Sequence, residues 1–112
     1  MAAPGENLKI NGDRLWDSLM EMAQSGPGVA GGNNRQTLTD DDGAGRALFQ
    51  AWCDAAGCSM GVDSMGNMFA TRAGTDPDAL PVYVGSHLAT SATPPAAPRD
   101  TFLIFIGSGA FD

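Results

Sequence analysis

The segment from residue 39 to residue 57 most strongly limits what this chain can fold into, because it carries helix signals at both ends. Thr39 is a favoured N-cap residue, and Asp42 follows three residues later, close to a capping box. Gly57 is a favoured residue just past a helix C-terminus. Apolar and small residues recur in between at helical spacing: Ala44, Leu48, Ala51, Trp52 and Ala55. The sequence therefore predicts a helix here.

The first turn of this predicted helix contains three consecutive aspartates, residues 40–42. One interpretation is a metal site, since carboxylates bind hard cations. The other is a capped first turn, where the helix dipole favours negative charge without any ligand. The second interpretation needs no further residues, and we prefer it.

An earlier helix is predicted over residues 12–22, with Asn11 as its N-cap. Its apolar stripe consists of Leu15, Leu19 and Met22, widened by Trp16, Met20 and Ala23. The Gly-Pro-Gly sequence at 26–28 ends this helix. Residues 26–37 are rich in Gly and Asn, which predicts a loop. For its residues 31–34 (GGNN), flexible linkage is the preferred interpretation and a ligand contact is the alternative.

After residue 58 the pattern changes to short strands. Residues 60–63 and 67–72 flank a turn at 64–66, which predicts a hairpin with Met68 and Ala70 on one face. Residues 81–85 form a continuous apolar run of the kind buried on both faces of an α/β sheet. The sequence thus predicts an α/β fold in which two N-terminal helices pack on a short mixed sheet.

Composition and charge exclude several classes of partner. The formal net charge is −7, and the six Lys and Arg residues are scattered. Nucleic acid and anionic membrane need clustered cations, so we expect neither as a partner. The first residues contain no apolar stretch typical of a secretory signal, and no run approaches the roughly 20 residues of a membrane span. We expect a cytoplasmic protein with reduced cysteines.

Few residues could carry chemistry. His87 is the single histidine, and it follows the predicted strand 81–85, where ligands gather in open α/β sheets. A lone histidine is otherwise more often structural. Cys53 and Cys58 are spaced too widely for a CxxC pair and are expected to be two buried free thiols.

Five stretches, taken in order, resemble the hydantoinase/carbamoylase-type amidohydrolases, which include N-carbamoyl-L-amino-acid hydrolases, allantoate amidohydrolases and β-ureidopropionases. The stretches are residues 35–40 (RQTLTD), 45–49 (GRALF), 52–58 (WCDAAGC), 62–72 (VDSMGNMFATR) and 85–88 (GSHL). The resemblance implies a piece of a zinc-aminopeptidase-like catalytic domain. It also implies two divalent metals (Zn, Mn or Co) with a bridging water, a glutamate as general base and a small ureido or carbamoyl substrate.

By this resemblance, His87 corresponds to the first metal-binding histidine of a G-S-H-x-D-T motif. The aspartate of that motif, which orients the histidine, is replaced by Ala89, whereas Thr90 is retained. A following G-G-x-x-D-G segment, whose aspartate bridges the metals, is replaced by residues 93–98 (TPPAAP). Asp100 lies nearby in a context that does not match.

We therefore divide the chain into residues 1–90, the N-terminal part of a metallohydrolase catalytic domain, and residues 91–112, a divergent tail. Residues 91–98 predict a loop or polyproline-like segment, and residues 102–106 (FLIFI) predict a short strand or an aggregation-prone window. Truncation or a frameshift would explain the change, and the remaining ligands would lie beyond Asp112. Reading the neighbouring DNA in all frames tests this hypothesis.

Three functions compete at this point. The first is a truncated amidohydrolase, inactive as this chain because a catalytic zinc site usually needs three protein ligands. The second is a non-enzymatic α/β interaction module that has lost the active site and uses a sheet edge for association. The third, and least favoured, is an intact small enzyme that uses His87. The incomplete sheet also predicts a marginal, association-prone fold.

Overall fold

The computed structural model describes residue 6, residues 8–90 and the backbone of residues 106–108. It confirms the predicted α/β architecture. The elements are α1 (Gly12–Met22), a short 3-10 turn (Val29–Gly31), α2 (Asp40–Ala55), β1 (Ser59–Val62), β2 (Met68–Ala73), β3 (Pro81–Tyr83) and β4 (Ile106–Ser108).

The four strands form one mixed sheet in the order β1-β2-β4-β3. β1 and β2 are the predicted antiparallel hairpin, with Gly61 opposite Phe69. β4 lies parallel to β2 and antiparallel to β3. It overlaps the predicted strand 102–106 only at Ile106, and residues 91–105 and 109–112 lie outside the described part of the chain. The polyproline-like prediction falls in that outside part.

Both helices begin where the sequence predicts, because their caps are local. The Asn11 side chain accepts a hydrogen bond from the Arg14 N–H at 3.0 Å. The Thr39 hydroxyl accepts one from the Asp42 N–H at 3.2 Å. The Asp42 carboxylate, however, accepts from the Leu38 N–H at 3.0 Å, one residue earlier than in a capping box.

The core is small, and α2 turns a different face to it than predicted. Its members are Met22, Phe49, Cys53, Met68 and Ala70. Leu48 and Trp52 of the predicted α2 stripe are half-buried beside this core. The three alanines of the predicted stripe are exposed. Burial of Phe49 removes more apolar surface from water than burial of alanines would. This explains why the buried face of α2 differs from the predicted one. The α1 stripe prediction is also wrong in part, because Leu15, Trp16 and Met20 are exposed.

The prediction of a strand buried on both faces at 81–85 is wrong. β3 covers only residues 81–83, and the side chains of Val82 and Tyr83 are 58% and 71% exposed. A doubly buried strand needs a layer on each face. Within the described residues α2 packs against β1, which lies at the opposite edge of the sheet, so no helix covers β3.

The hairpin turn is organised by Asp63. Its carboxylate accepts hydrogen bonds from the backbone N–H groups of Met65 and Asn67 and from the Asn67 side-chain amide, each at 2.9 Å. These bonds, the Asn67 side chain first, lower the pKa of the Asp63 carboxyl below its ordinary value. The Arg46 guanidinium donates to the Gly66 carbonyl at 2.8 Å, which attaches the turn to α2.

Neither helix in the described part of the chain combines the length and the apolar character that crossing a bilayer requires.

Candidate functional site

His87 lies on the surface, four residues beyond the end of β3. Gly85 precedes it in open space, since a Cβ built there would meet no atom within 4 Å. The imidazole Nδ1 lies 2.7 Å from the carbonyl oxygen of Ala89. The ring is therefore accessible, and among residues 8–90 one backbone contact close in sequence holds it.

This contact determines which ring nitrogen carries the hydrogen. A carbonyl oxygen can only accept, so a hydrogen bond to Ala89 requires the hydrogen of His87 on Nδ1. In the neutral ring, the lone pair then resides on Nε2. A metal-binding histidine typically has this arrangement, in which one nitrogen donates to a carboxylate or a carbonyl and the other binds the metal.

The segment that carries His87 is attached to the rest of the fold by Arg35, whose side chain is fully buried. Its Nε donates to the Leu88 carbonyl at 3.0 Å. Its Nη1 donates to the carbonyls of Met22 and Ser25, both at 2.8 Å. One guanidinium therefore joins the end of α1 to the residue that follows His87.

The backbone of Arg35 makes a second connection, to Thr90. The Thr90 N–H donates to the Arg35 carbonyl at 2.7 Å, and the Arg35 N–H donates to the Thr90 hydroxyl oxygen at 2.6 Å. That hydroxyl in turn donates to the Asn33 side-chain oxygen at 2.8 Å. The Asn33 amide group also donates to the carbonyls of Ala23 and Ser25. We call Asn33, Arg35 and Thr90 the Arg35 cluster.

The electrostatic setting of Arg35 is unusual for a surface loop. Burial lowers the pKa of its guanidinium, and the negative charges of Asp42 and Asp41 partly oppose that effect. The Nη2 atom is buried without a hydrogen-bond partner in the described part of the chain. Gly45 makes the space for this side chain, because a Cβ there would lie 2.7 Å from the Arg35 Cδ.

Sequence reasoning did not find Arg35. The loop over residues 26–37 has no apolar periodicity, and flexible linkage was its preferred interpretation. Instead, Asn33 and Arg35 connect the end of α1 to Thr90, in the segment that follows His87. The available signal was one arginine, with five N–H donors to satisfy, in a loop without an acidic residue.

The other candidate residues are structural. Asp42 is buried and bound to the Leu38 N–H, whereas Asp40 and Asp41 are exposed in the first turn, as capping predicts. Cys53 is a buried free thiol, as predicted, and Cys58 is also free but only half-buried. Burial, assisted by Cys58 and Asp54, raises the pKa of Cys53 to about 11.

The described residues do not by themselves fit a two-metal site. Among them, no group of three or more His, Cys, Asp or Glu side chains is close enough to hold an ion. His87 is the one candidate ligand that the motif identifies. Ala89 supplies no carboxylate, although its carbonyl accepts from the ring. Asp100 lies outside the described residues.

Known proteins resemble this chain over most of its length. An N-carbamoyl-L-amino-acid amidohydrolase of Rhizobium meliloti is 76% identical over 93 residues, which are 83% of this chain and 22% of the relative. An N-carbamoyl-L-amino acid amidohydrolase of Geobacillus stearothermophilus is 38% identical over 79 residues, 70% of this chain and 19% of the relative. A search of family models found no match.

Solved structures agree with these relatives. A hydantoinase/carbamoylase family amidase from Burkholderia ambifaria superposes with a TM-score of 0.70 and 53% identity, over 74% of this chain and 20% of that one. A hydantoinase/carbamoylase family amidase from Burkholderia vietnamiensis has a TM-score of 0.72 and 50% identity, over 76% of this chain and 21% of that one. The chain spans about a fifth of the length of these proteins. The chain belongs to the hydantoinase/carbamoylase family of amidohydrolases.

Proposed function

We propose that this chain is the part of a metal-dependent amidohydrolase that carries its first metal-binding histidine, His87. The reaction is hydrolysis of C–N bonds in N-carbamoyl amino acids or related ureido compounds. Two divalent metals (Zn, Mn or Co) serve as cofactors. The observation that carries the proposal is the accessible His87 ring beyond β3, with its Nδ1 on the Ala89 carbonyl and its Nε2 lone pair available. The names of the relatives support the substrate class.

We also infer that the 112-residue chain alone does not catalyse this reaction. A catalytic zinc usually has three protein ligands and an open position. The described residues contribute one recognised ligand and no cluster of candidate ligands. Activity therefore requires ligands from outside the described residues.

The decisive experiment uses two preparations. The purified chain is assayed for bound metal and for ammonia release from N-carbamoyl amino acids, and we expect neither above the level of His87→Ala. In a chimera, residues of this chain replace the corresponding 93 residues of the Rhizobium meliloti relative. We expect the chimera to be active and its His87→Ala variant to lose both metal and activity.

The control in the chimera is Thr71→Val, an exposed position on β2. It should retain the metal content and activity of the parent chimera. A His87→Ala chimera with parental metal content and turnover would contradict the role of His87. Turnover by the 112-residue chain itself would contradict the inferred inactivity.

An apolar strip on and beside β3 favours a second candidate function, that of a non-enzymatic interaction module. Val82 and Tyr83 of this strip are joined by Val84, which is 55% exposed. Exposed apolar patches and sheet edges are typical sites of association. Sedimentation over a range of concentrations tests self-association. Val82→Lys should reduce self-association, whereas Val62→Lys, at a 57% exposed valine on β1 outside this strip, should not.

A further inference from the structure

We propose that Arg35 is a positioning residue for His87, and that it acts through the backbone at Leu88 and Thr90. The proposal deepens the proposed function and depends on it for its catalytic meaning, because positioning the ring matters for hydrolysis only if His87 binds a metal.

The attachments of Arg35 fall on both sides of Ala89, the residue whose carbonyl holds the His87 ring. The His87 ring donates to the carbonyl of Ala89. The residues on either side of Ala89 are both bound to Arg35, through the Leu88 carbonyl at 3.0 Å and the Thr90 N–H at 2.7 Å. The Ala89 carbonyl and the Thr90 N–H belong to one planar peptide group, and the Leu88 carbonyl belongs to the preceding one, so these two hydrogen bonds fix the direction of the Ala89 carbonyl. That carbonyl in turn determines the orientation and tautomer of the ring.

The shape of the Arg35 guanidinium suits it to this role. It offers five N–H donors in a planar fork, and a lysine ammonium cannot reproduce that geometry. Here Nε points to Leu88 while Nη1 points to Met22 and Ser25. Arg35 thereby attaches the segment that carries His87 to the end of α1. The position of that segment depends on this attachment and not only on the exposed strand β3 that precedes it. Leu88 also packs against the core, which supports the same placement.

The side chain at position 89 cannot orient the ring. By the resemblance, Ala89 stands where the motif has an aspartate that would orient the histidine, and an alanine side chain offers the ring no acceptor. The Ala89 carbonyl takes over the acceptor role, and a backbone acceptor is only as well placed as its flanking anchors. The Arg35 cluster supplies those anchors, including the Thr90 hydroxyl, which is shared between the Arg35 N–H and Asn33.

The test is nitrogen NMR of the full 15N-labelled chain, whose ring signals belong to one histidine. In alkaline buffer, where the ring is neutral, the two ring 15N shifts report which nitrogen carries the hydrogen. The test variants are Arg35→Lys and Thr90→Val. The controls are Thr90→Ser, which keeps the hydroxyl, and Arg46→Lys, which alters an arginine bound to the Gly66 carbonyl far from His87 in sequence. Circular dichroism verifies that each variant is folded.

In the parent chain we expect the pattern of a ring protonated on Nδ1. Arg35→Lys and Thr90→Val should lose it, with the two shifts moving toward the average of exchanging tautomers, while both controls keep it. Parental shifts in folded Arg35→Lys and Thr90→Val would overturn the proposal, as would a Thr90→Ser change equal to that of Thr90→Val. If Arg35→Lys does not fold, the comparison of Thr90→Val with Thr90→Ser decides.

This measurement needs neither metal nor substrate, so it separates the two proposals. Loss of the tautomer pattern together with an active His87→Ala chimera would leave Arg35 as a positioning residue and remove the proposed function. An inactive His87→Ala chimera together with unchanged ring shifts would retain the function and remove the role of Arg35.

Discussion

Arg35 and Thr90 are joined by two reciprocal hydrogen bonds, although 55 residues separate them in sequence. The N–H of each donates to an oxygen of the other, at 2.6 and 2.7 Å. The pair connects two distant parts of the chain, because Arg35 belongs to the loop between the helices and Thr90 to the segment that follows His87. The stability of the chain and the geometry of its candidate site therefore depend on the same contacts.

Arg35→Met should lower the free energy of unfolding by about 1–3 kcal/mol, because the half-buried Leu88 carbonyl loses its donor. The carbonyls of Met22 and Ser25 each lose one of two donors. Urea denaturation followed by circular dichroism measures the change. Arg14→Met, at an exposed position in α1, should stay within about 0.5 kcal/mol of the parent. Equal losses in the two variants would show that burial of Arg35 contributes nothing specific.

Gly45→Ala and Gly43→Ala should have opposite effects although both lie in α2. Alanine normally stabilises a helix relative to glycine by up to about 1 kcal/mol, and a Cβ at Gly43 meets nothing within 4 Å. A Cβ at Gly45 would lie 2.7 Å from the Arg35 Cδ and must displace that side chain. We expect a loss of about 1–3 kcal/mol there. Thermal or urea unfolding of both variants decides, and stabilisation by Gly45→Ala would contradict the packing described.

The turn at Asp63 should weaken in acid. Its folded-state pKa lies below the ordinary value of about 3.9, so the carboxylate stabilises the turn above that value and the contribution is lost as pH falls through the folded-state pKa. Carboxyl NMR titration should give Asp63 a lower pKa than the ordinary value. Asn67→Ala, which removes the side-chain donor, should raise the pKa of Asp63. An unchanged value would assign the shift to the backbone donors alone.

The two thiols should differ in reactivity. With a pKa of about 11, the buried Cys53 has roughly one thiolate per thousand molecules at about pH 8, and it is also inaccessible. Iodoacetamide should label the half-buried Cys58 first and reach Cys53 only in denaturant. Mass spectrometry of Cys53→Ser and Cys58→Ser chains measures each rate separately. Faster labelling of Cys53 than of Cys58 in the native chain would contradict the burial described.

The sequence determined the elements whose signals are local. Asn11 and Thr39 start the two helices at the predicted residues, since a cap involves side chain and backbone only three residues apart. The hairpin is also local, and the alternation that buries Met68 and Ala70 is visible in the sequence itself. The family stretches added His87, which no periodicity would have distinguished from a structural histidine.

Tertiary structure alone decided what is buried. α2 presents Phe49 rather than its alanines, β3 lies exposed at the far edge of the sheet, and Arg35 is fully buried inside a loop without apolar periodicity. The partners of Arg35 at Leu88 and Thr90 are more than 50 residues away, at 53 and 55 positions. Burial depends on which distant elements cover a surface, and a sequence pattern records only the spacing of neighbours along one element.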